Sequence, residues 1–96
     1  MTIDEFQKLI HDTYFERDND RGAGGTFMWF TEEVGELATA IWRGDRENLL
    51  EEFADVFAWL VSLASITGVR MEDAIEKYAQ GCPYCKKIPC DCSDKV

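Results

Sequence analysis

Apolar residues recur along this chain with the period of an α-helix, and turn residues divide them into four blocks. In the first block Ile3, Phe6, Ile10 and Tyr14 share a stripe, with Leu9 beside it. Thr2-Ile3-Asp4-Glu5 has the form of a capping box, so the spacing predicts a helix over about Ile3 to Glu16. Asp18 to Gly25 is polar and rich in glycine and predicts a loop. A second helix begins near Thr26 or Phe27 and runs to Arg43, with Phe27, Phe30, Val34, Leu37, Ala38 and Ile41 as its apolar stripe. Gly44 stops it, and Asp45 is placed to cap the next. So short a connection makes the flanking helices antiparallel neighbours. The third helix, about Arg46 to Ile66, turns Leu49, Phe53, Val56, Phe57, Leu60, Val61 and Ala64 to one side and ends at Gly68. A last helix, about Met71 to Gln80, carries Met71, Ala74, Ile75 and Tyr78 and ends at Gly81. No stretch alternates with period two for long enough to predict a strand. The expected fold class is all-α, a four-helix arrangement around the hairpin of helices two and three.

Length and charge narrow the picture. The chain has 96 residues, which favours one domain. We expect a helical domain over 1–81 and a short tail over 82–96. With 19 acidic against 10 basic residues the net charge is −9. Such a surface argues against broad contact with nucleic acid or with an anionic membrane, both of which need a basic face. An anionic small molecule remains admissible if a bound cation inverts the local field. No apolar run approaches a membrane span, and the first ten residues lack the form of a secretory signal. A cytoplasmic location is expected.

The chemistry gathers between Thr31 and Asp55. Glu33 and Glu36 are three residues apart, as are Glu52 and Asp55, so each pair shares a helix face. Spacing alone says little. In a chain this acidic, chance gives about four pairs three apart, and there are four, the others being Asp73/Glu76 and Asp91/Asp94. Position says more. Glu36 lies eight residues before Gly44 and Glu52 eight after it. At a rise of about 1.5 Å per residue both stand roughly 12 Å from the turn, level across an antiparallel hairpin. Glu33 and Asp55 are level in the same way. Like charges also recur at i,i+4 in Glu32/Glu36, Glu47/Glu51 and Glu51/Asp55, which costs helix stability unless a cation neutralises the group. Carboxylates without histidine suit Mg²⁺ or Mn²⁺ over Zn²⁺. Iron bundles use a Glu-x-x-His motif, and the one histidine, His11, lies on helix one. From these features alone, metal binding and a solvated acidic ridge stand level. Arg17 and Arg21, in or beside the predicted loop, admit two readings: a solvated turn, or a mobile flap that brings an arginine to phosphate.

The tail reads Cys82-Pro83-Tyr84-Cys85-Lys86-Lys87-Ile88-Pro89-Cys90-Asp91-Cys92. All four cysteines are here. Cys82-x-x-Cys85 has the spacing of a zinc knuckle; Cys90-x-Cys92 is tighter than usual. Structural zinc is the leading reading, with two disulfides or free thiols as the alternatives.

The segments Trp29-Phe30-Thr31-Glu32-Glu33-Val34-Gly35-Glu36-Leu37-Ala38 and Glu51-Glu52-Phe53-Ala54-Asp55-Val56-Phe57-Ala58-Trp59-Leu60 resemble the two signatures of the MazG-type nucleotide pyrophosphohydrolases, in the all-α NTP pyrophosphatase group. The similarity covers about Phe27 to Tyr78. It implies hydrolysis of a nucleoside triphosphate to the monophosphate and pyrophosphate with Mg²⁺ or Mn²⁺, as in cleansing of nucleotide pools. On this chain Glu33, Glu36, Glu52 and Asp55 would be the metal ligands. Glu32 would orient or deprotonate water, and Lys77 would contact phosphate. Trp29, Phe30 and Trp59 are candidates to stack on the base, though aromatics at helical spacing also serve as core. Members often continue past the lysine with Asn and a basic residue, whereas here Ala79-Gln80-Gly81 leads straight into the cysteines. Lys86, Lys87 or the partner subunit's Arg21 would then have to serve the phosphates. That departure also admits a rival, a metal-stapled interaction or regulatory protein with a silent MazG-like site. The resemblance further implies a homodimer or homotetramer, which fits a chain with more aromatic and aliphatic positions than a monomer of this length covers.

Overall fold

The computed structural model describes residues 1–93; Asp94, one half of the Asp91/Asp94 pair, and the last residues of the tail lie outside them. Among the described residues every regular element is helical. In order these are α1 (Ile3–Arg43), α2 (Arg46–Ile66), α3 (Met71–Ala74) and a 3₁₀ turn (Ile75–Tyr78). Among the described residues no helix is long and apolar enough to cross a membrane.

The expected ends of the hairpin are present. Thr2 accepts a hydrogen bond from the Glu5 amide at 3.0 Å, and the Glu5 carboxylate accepts one from the Thr2 amide at 2.7 Å, closing the capping box. Gly44 ends α1 with φ 72°, a left-handed cap that favours glycine. Asp45 then accepts from the Glu47 amide and starts α2. The residues just before Gly44 therefore run back along α2.

The expected loop over Asp18 to Gly25 is absent, which corrects both readings of that stretch: it is neither a solvated turn nor a flap. Helix one does not stop at Glu16. Helical backbone continues through the glycine-rich segment, interrupted only at Gly22, where φ 86° and ψ 166° bend the chain. Tertiary contact overrides local propensity here. Asp18 and Thr26 are buried, and the Arg21 guanidinium reaches Asp18 at 2.9 Å and Thr26 at 3.3 Å. It also stands 5.1 Å from the ring centre of Trp59 on α2. The bend gives α1 two limbs, residues 3–21 and 23–43, both of which meet α2. Phe6 on the first limb stacks on Phe57 of α2, with ring centres 5.2 Å apart.

The expected fourth helix, Met71 to Gln80, is also corrected. It is one α turn followed by one 3₁₀ turn. Arg70 supplies no side-chain cap, and no residue of either turn is buried, so little packing energy supports a longer helix. Its start is instead tied to the first limb. Gln7 donates to the Ser65 hydroxyl and the Val69 carbonyl and accepts from the Met71 amide, all within 3.1 Å. Arg70 pairs with Asp4 at 2.9 Å.

The buried apolar residues are few: Ile10, Ala40, Val61 and Ala64. Phe27, Ile41, Leu50 and Phe53, from the hairpin, are more exposed than buried in the single chain, Val34 is 42% exposed and Trp42 88%.

The bend at Gly22 uses backbone angles that only glycine adopts readily. Gly22→Ala should cost about 1–3 kcal/mol. Gly24→Ala, on helical backbone with open space at its Cβ, should be neutral or stabilise by about 0.5–1 kcal/mol. Urea unfolding of both variants checks this; equal effects would contradict the placement of the bend.

Candidate active site

The antiparallel hairpin brings carboxylates from α1 and α2 together. Glu33, Glu36 and Glu52 each present an oxygen, and these oxygens all lie within 4.8 Å of one another. Glu52 is 8% exposed, Glu33 is half-buried and Glu36 faces solvent. One oxygen each of Glu33 and Glu52 (Oε2 in both) is buried without any hydrogen-bond partner. Buried polar atoms are ordinarily paired, and an unpaired carboxylate oxygen is costly. The electrostatics follow. Burial, then the Glu36 carboxyl, then the charges of Asp55 and Glu52 push Glu33 up from its ordinary 4.5 to about 7. Burial, followed by the charges of Glu36 and Asp55, raises Glu52 as well. Asp55 thus acts on both glutamates, though it stands outside the tight group of three.

Two clefts flank this cluster. The larger, of about 430 Å³, lies on the side away from the turn, where Glu33 and Asp55 line it together. Facing them are Ile10, Tyr14, Arg17, Asp18 and Arg21 from the first limb, with Trp29, Ala58, Trp59 and Ser62. The smaller, of about 300 Å³, lies toward the turn between Glu36, Thr39, Asn48 and Glu52. The lining of the larger cleft combines acidic, basic and aromatic side chains. Trp29 and Trp59 stack with ring centres 6.2 Å apart and planes 12° from parallel. Arg21 lies over Trp59, held by the buried Asp18, and its side chain stays 29% exposed.

Of the residues singled out from sequence, Glu33, Asp55, Arg21, Trp29 and Trp59 share the larger cleft, and Glu36 and Glu52 adjoin it through the carboxylate cluster. Glu32 is exposed and lines neither cleft. Phe30 is half-buried and stacks on Phe27 rather than lining the cleft. Lys77 lies on the 3₁₀ turn with its ammonium 5.2 Å from the Tyr78 ring, and does not line the cleft. Tyr14 and Asp18 were missed as cleft residues, and Arg17, weighed only as part of a turn or flap, lines the cleft from a helix. Their signal is helical spacing: Tyr14, Asp18 and Arg21 lie at i, i+4 and i+7, and Arg17 is four before Arg21. It is visible only if the helix is carried past Glu16.

The donor set fits a hard divalent cation. It is all carboxylate oxygen from two facing helices, and two of its oxygens lack partners that a cation would supply. A separate cluster lies in the tail, where the sulphurs of Cys82, Cys85, Cys90 and Cys92 also all come within 4.8 Å of one another. All four are unbridged. Backbone N–H groups of Cys85 and Tyr84 hold the Cys82 thiol down to about 6. The Asp91 N–H lowers Cys85, and the neighbouring Cys90 and Cys82 thiols push Cys92 up to about 12.

A family model described as the MazG nucleotide pyrophosphohydrolase domain matches residues 24–86, well over half of the chain. No match is found among curated proteins.

With divalent cations removed, folded Glu33 keeps its proton up to about pH 7, whereas an unfolded glutamate has released it by its ordinary 4.5. The folded state therefore binds more protons across that window, and this contribution to stability is lost as pH rises from 4.5 through about 7. Glu52 acts in the same direction. Thermal unfolding in a chelator should give a lower Tm at about pH 8 than at about pH 5.5, and Glu33→Gln should flatten that slope. A Tm that rises with pH in the unaltered chain, or a slope unchanged in the variant, would contradict this assignment.

Proposed function

The chain belongs to the family of MazG nucleotide pyrophosphohydrolase domains, and on that footing we propose that it hydrolyses a nucleoside triphosphate to the monophosphate and pyrophosphate, dependent on Mg²⁺ or Mn²⁺. The observation that carries this reading is the pair of buried, unpartnered oxygens on Glu33 and Glu52, in a cluster that adjoins a cleft also lined by Arg17 and Arg21. An acidic ridge serving only solubility would have its oxygens in water.

Glu33, Glu36 and Glu52 would hold the metal, with Asp55 completing the set from the cleft side. When bound, the cation would supply charge neutralisation and acidify a water. The water oxygen bonds to phosphorus while a phosphoanhydride bond breaks, and the pyrophosphate leaves with the bond electrons. Glu32 stands in solvent next to Glu33, where a proton taken from that water passes directly to bulk. Arg17 and Arg21 face the anionic chain of the substrate; Asp18 fixes Arg21 so that little rotamer entropy is lost on binding. Trp29, 47% exposed on the cleft wall, offers a face to the base, and Trp59 backs it. Lys77 reaches a substrate only if it meets the cleft of a second subunit. The helical unit, residues 1–81, carries the carboxylates and the cleft of this chemistry; Lys86 and Lys87, in the 82–96 tail, do not line that cleft.

Two observations support a homodimer or homotetramer. The hairpin leaves a run of apolar side chains in water. The radius of gyration is 15.7 Å, against about 12.5 Å for a compact chain of this length. A second copy covering that face completes the helical bundle.

Incubation with a panel of ribo- and deoxyribonucleoside triphosphates should release pyrophosphate with Mg²⁺ or Mn²⁺ and not with a chelator. Glu36→Gln and Asp55→Asn should each lower the rate by about 10²-fold or more. If no triphosphate yields pyrophosphate with either metal, the enzyme reading fails, and triphosphate binding without turnover would favour the regulatory one. Light scattering should give a mass at least twice the 11.0 kDa of one chain; a monomer would refute the assembly.

A further inference from the structure

The nucleotide reading leaves the tail unexplained. No residue between 79 and 93 is buried, so this stretch has no apolar core to hold it. Segments this short fold stably only when a metal or disulfide closes them. Yet it is ordered around its cysteines. The Lys86 amide donates to the Cys82 carbonyl at 2.7 Å and the Cys82 amide to the Lys87 carbonyl at 3.2 Å, which closes residues 82–87 into a loop with two sulphurs inside. The return strand of chain brings Cys90 and Cys92 to the same point.

We propose that Cys82, Cys85, Cys90 and Cys92 form a closed tetrathiolate zinc site that folds the tail, chemically separate from the carboxylate site.

Sulphur spacing decides between zinc and disulfides. Cys82 Sγ and Cys92 Sγ are 3.7 Å apart. Two thiolates on a tetrahedral zinc, each about 2.3 Å from the metal, stand roughly 3.8 Å apart. A disulfide needs about 2.05 Å. All four sulphurs gather within 4.8 Å of one another, close enough to share one metal, where two disulfides would draw them together in pairs. The backbone adds the outer shell of such a site. The Asp91 amide donates to Cys85 Sγ at 3.3 Å and the Cys92 amide to Cys90 Sγ at 3.4 Å. Amides aimed at sulphur stabilise thiolate and orient it toward a metal. Four soft sulphurs exclude Mg²⁺ and suit zinc. Binding holds all four sulphurs as thiolates, the protons of those still protonated passing to solvent, and leaves a centre of net charge −2 beside Lys86 and Lys87. With four protein ligands no coordination position stays open, so the site is structural. The two clusters therefore sort metals by hardness: oxygen for magnesium in the hairpin, sulphur for zinc in the tail.

Metal analysis of the purified full chain should find one zinc per chain, unaffected by excess Mg²⁺. Cys85→Ser and Cys90→Ser should each lower zinc to near zero. Should these variants not fold, the unaltered chain still answers: removal of metal and addition of Co²⁺ should give the intense visible bands of a tetrahedral four-thiolate cobalt centre, which zinc then abolishes. Absence of those bands, zinc retained in the cysteine variants, a coloured iron centre, or a mass lower by two protons per disulfide would each overturn the proposal. None of these readouts depends on pyrophosphate release, so the nucleotide reading and this one fail separately.

Discussion

Mutual repulsion among Glu33, Glu36 and Glu52 is the constraint around which the molecule is arranged. Their oxygens converge within 4.8 Å, and two of them are cut off from water. A chain does not gather like charges at the edge of its core without a compensating positive charge. The hairpin enforces the convergence. Gly44 and Asp45 reverse the chain within two residues, so positions equally far from the turn must face each other. The hairpin carries a standing cost when empty, visible in Glu33, whose carboxyl is driven to about 7.

The bend at Gly22 supplies what the hairpin lacks. A straight α1 would carry residues 3–21 away from α2. Bent, it lays Ile10, Tyr14 and Asp18 against Ala58, Trp59 and Ser62 and sets Arg17 and Arg21 opposite the acidic pair. The buried Asp18 holds Arg21 by a short ion pair, and Trp59 gives the guanidinium a flat surface. One strained glycine thus brings arginines and aromatic rings into the same cleft as Glu33 and Asp55.

The helical hairpin and its carboxylates were legible in the sequence because register and turn length determine them. Glu36 and Glu52 are equidistant from Gly44, and a two-residue connection leaves one way to pair the helices. The bend was not legible. Three glycines within Arg21–Gly25 look like a loop, yet the backbone is helical on both sides of Gly22, where Arg21 meets Asp18, Thr26 and the distant Trp59. That misreading concealed Asp18 and the alignment of Arg17 with it, since both depend on a continuous helix. The final helix was overread for the opposite reason: its apolar spacing is helical, but nothing in the single chain buries it. Phe27, Ile41 and Phe53 hold the expected helical spacing and yet stand largely in water. Periodicity tells which face of a helix is apolar, not whether the same chain covers it.

The most direct test of the central claim is where a paramagnetic divalent ion binds. Mn²⁺ titrated into isotopically labelled protein should broaden the amide signals of residues 33–36 and 52–55 first, while residues 82–92 keep their intensity, and excess Mg²⁺ should restore the lost signals. Broadening spread evenly over the acidic surface, or confined to the cysteine tail, would contradict the account.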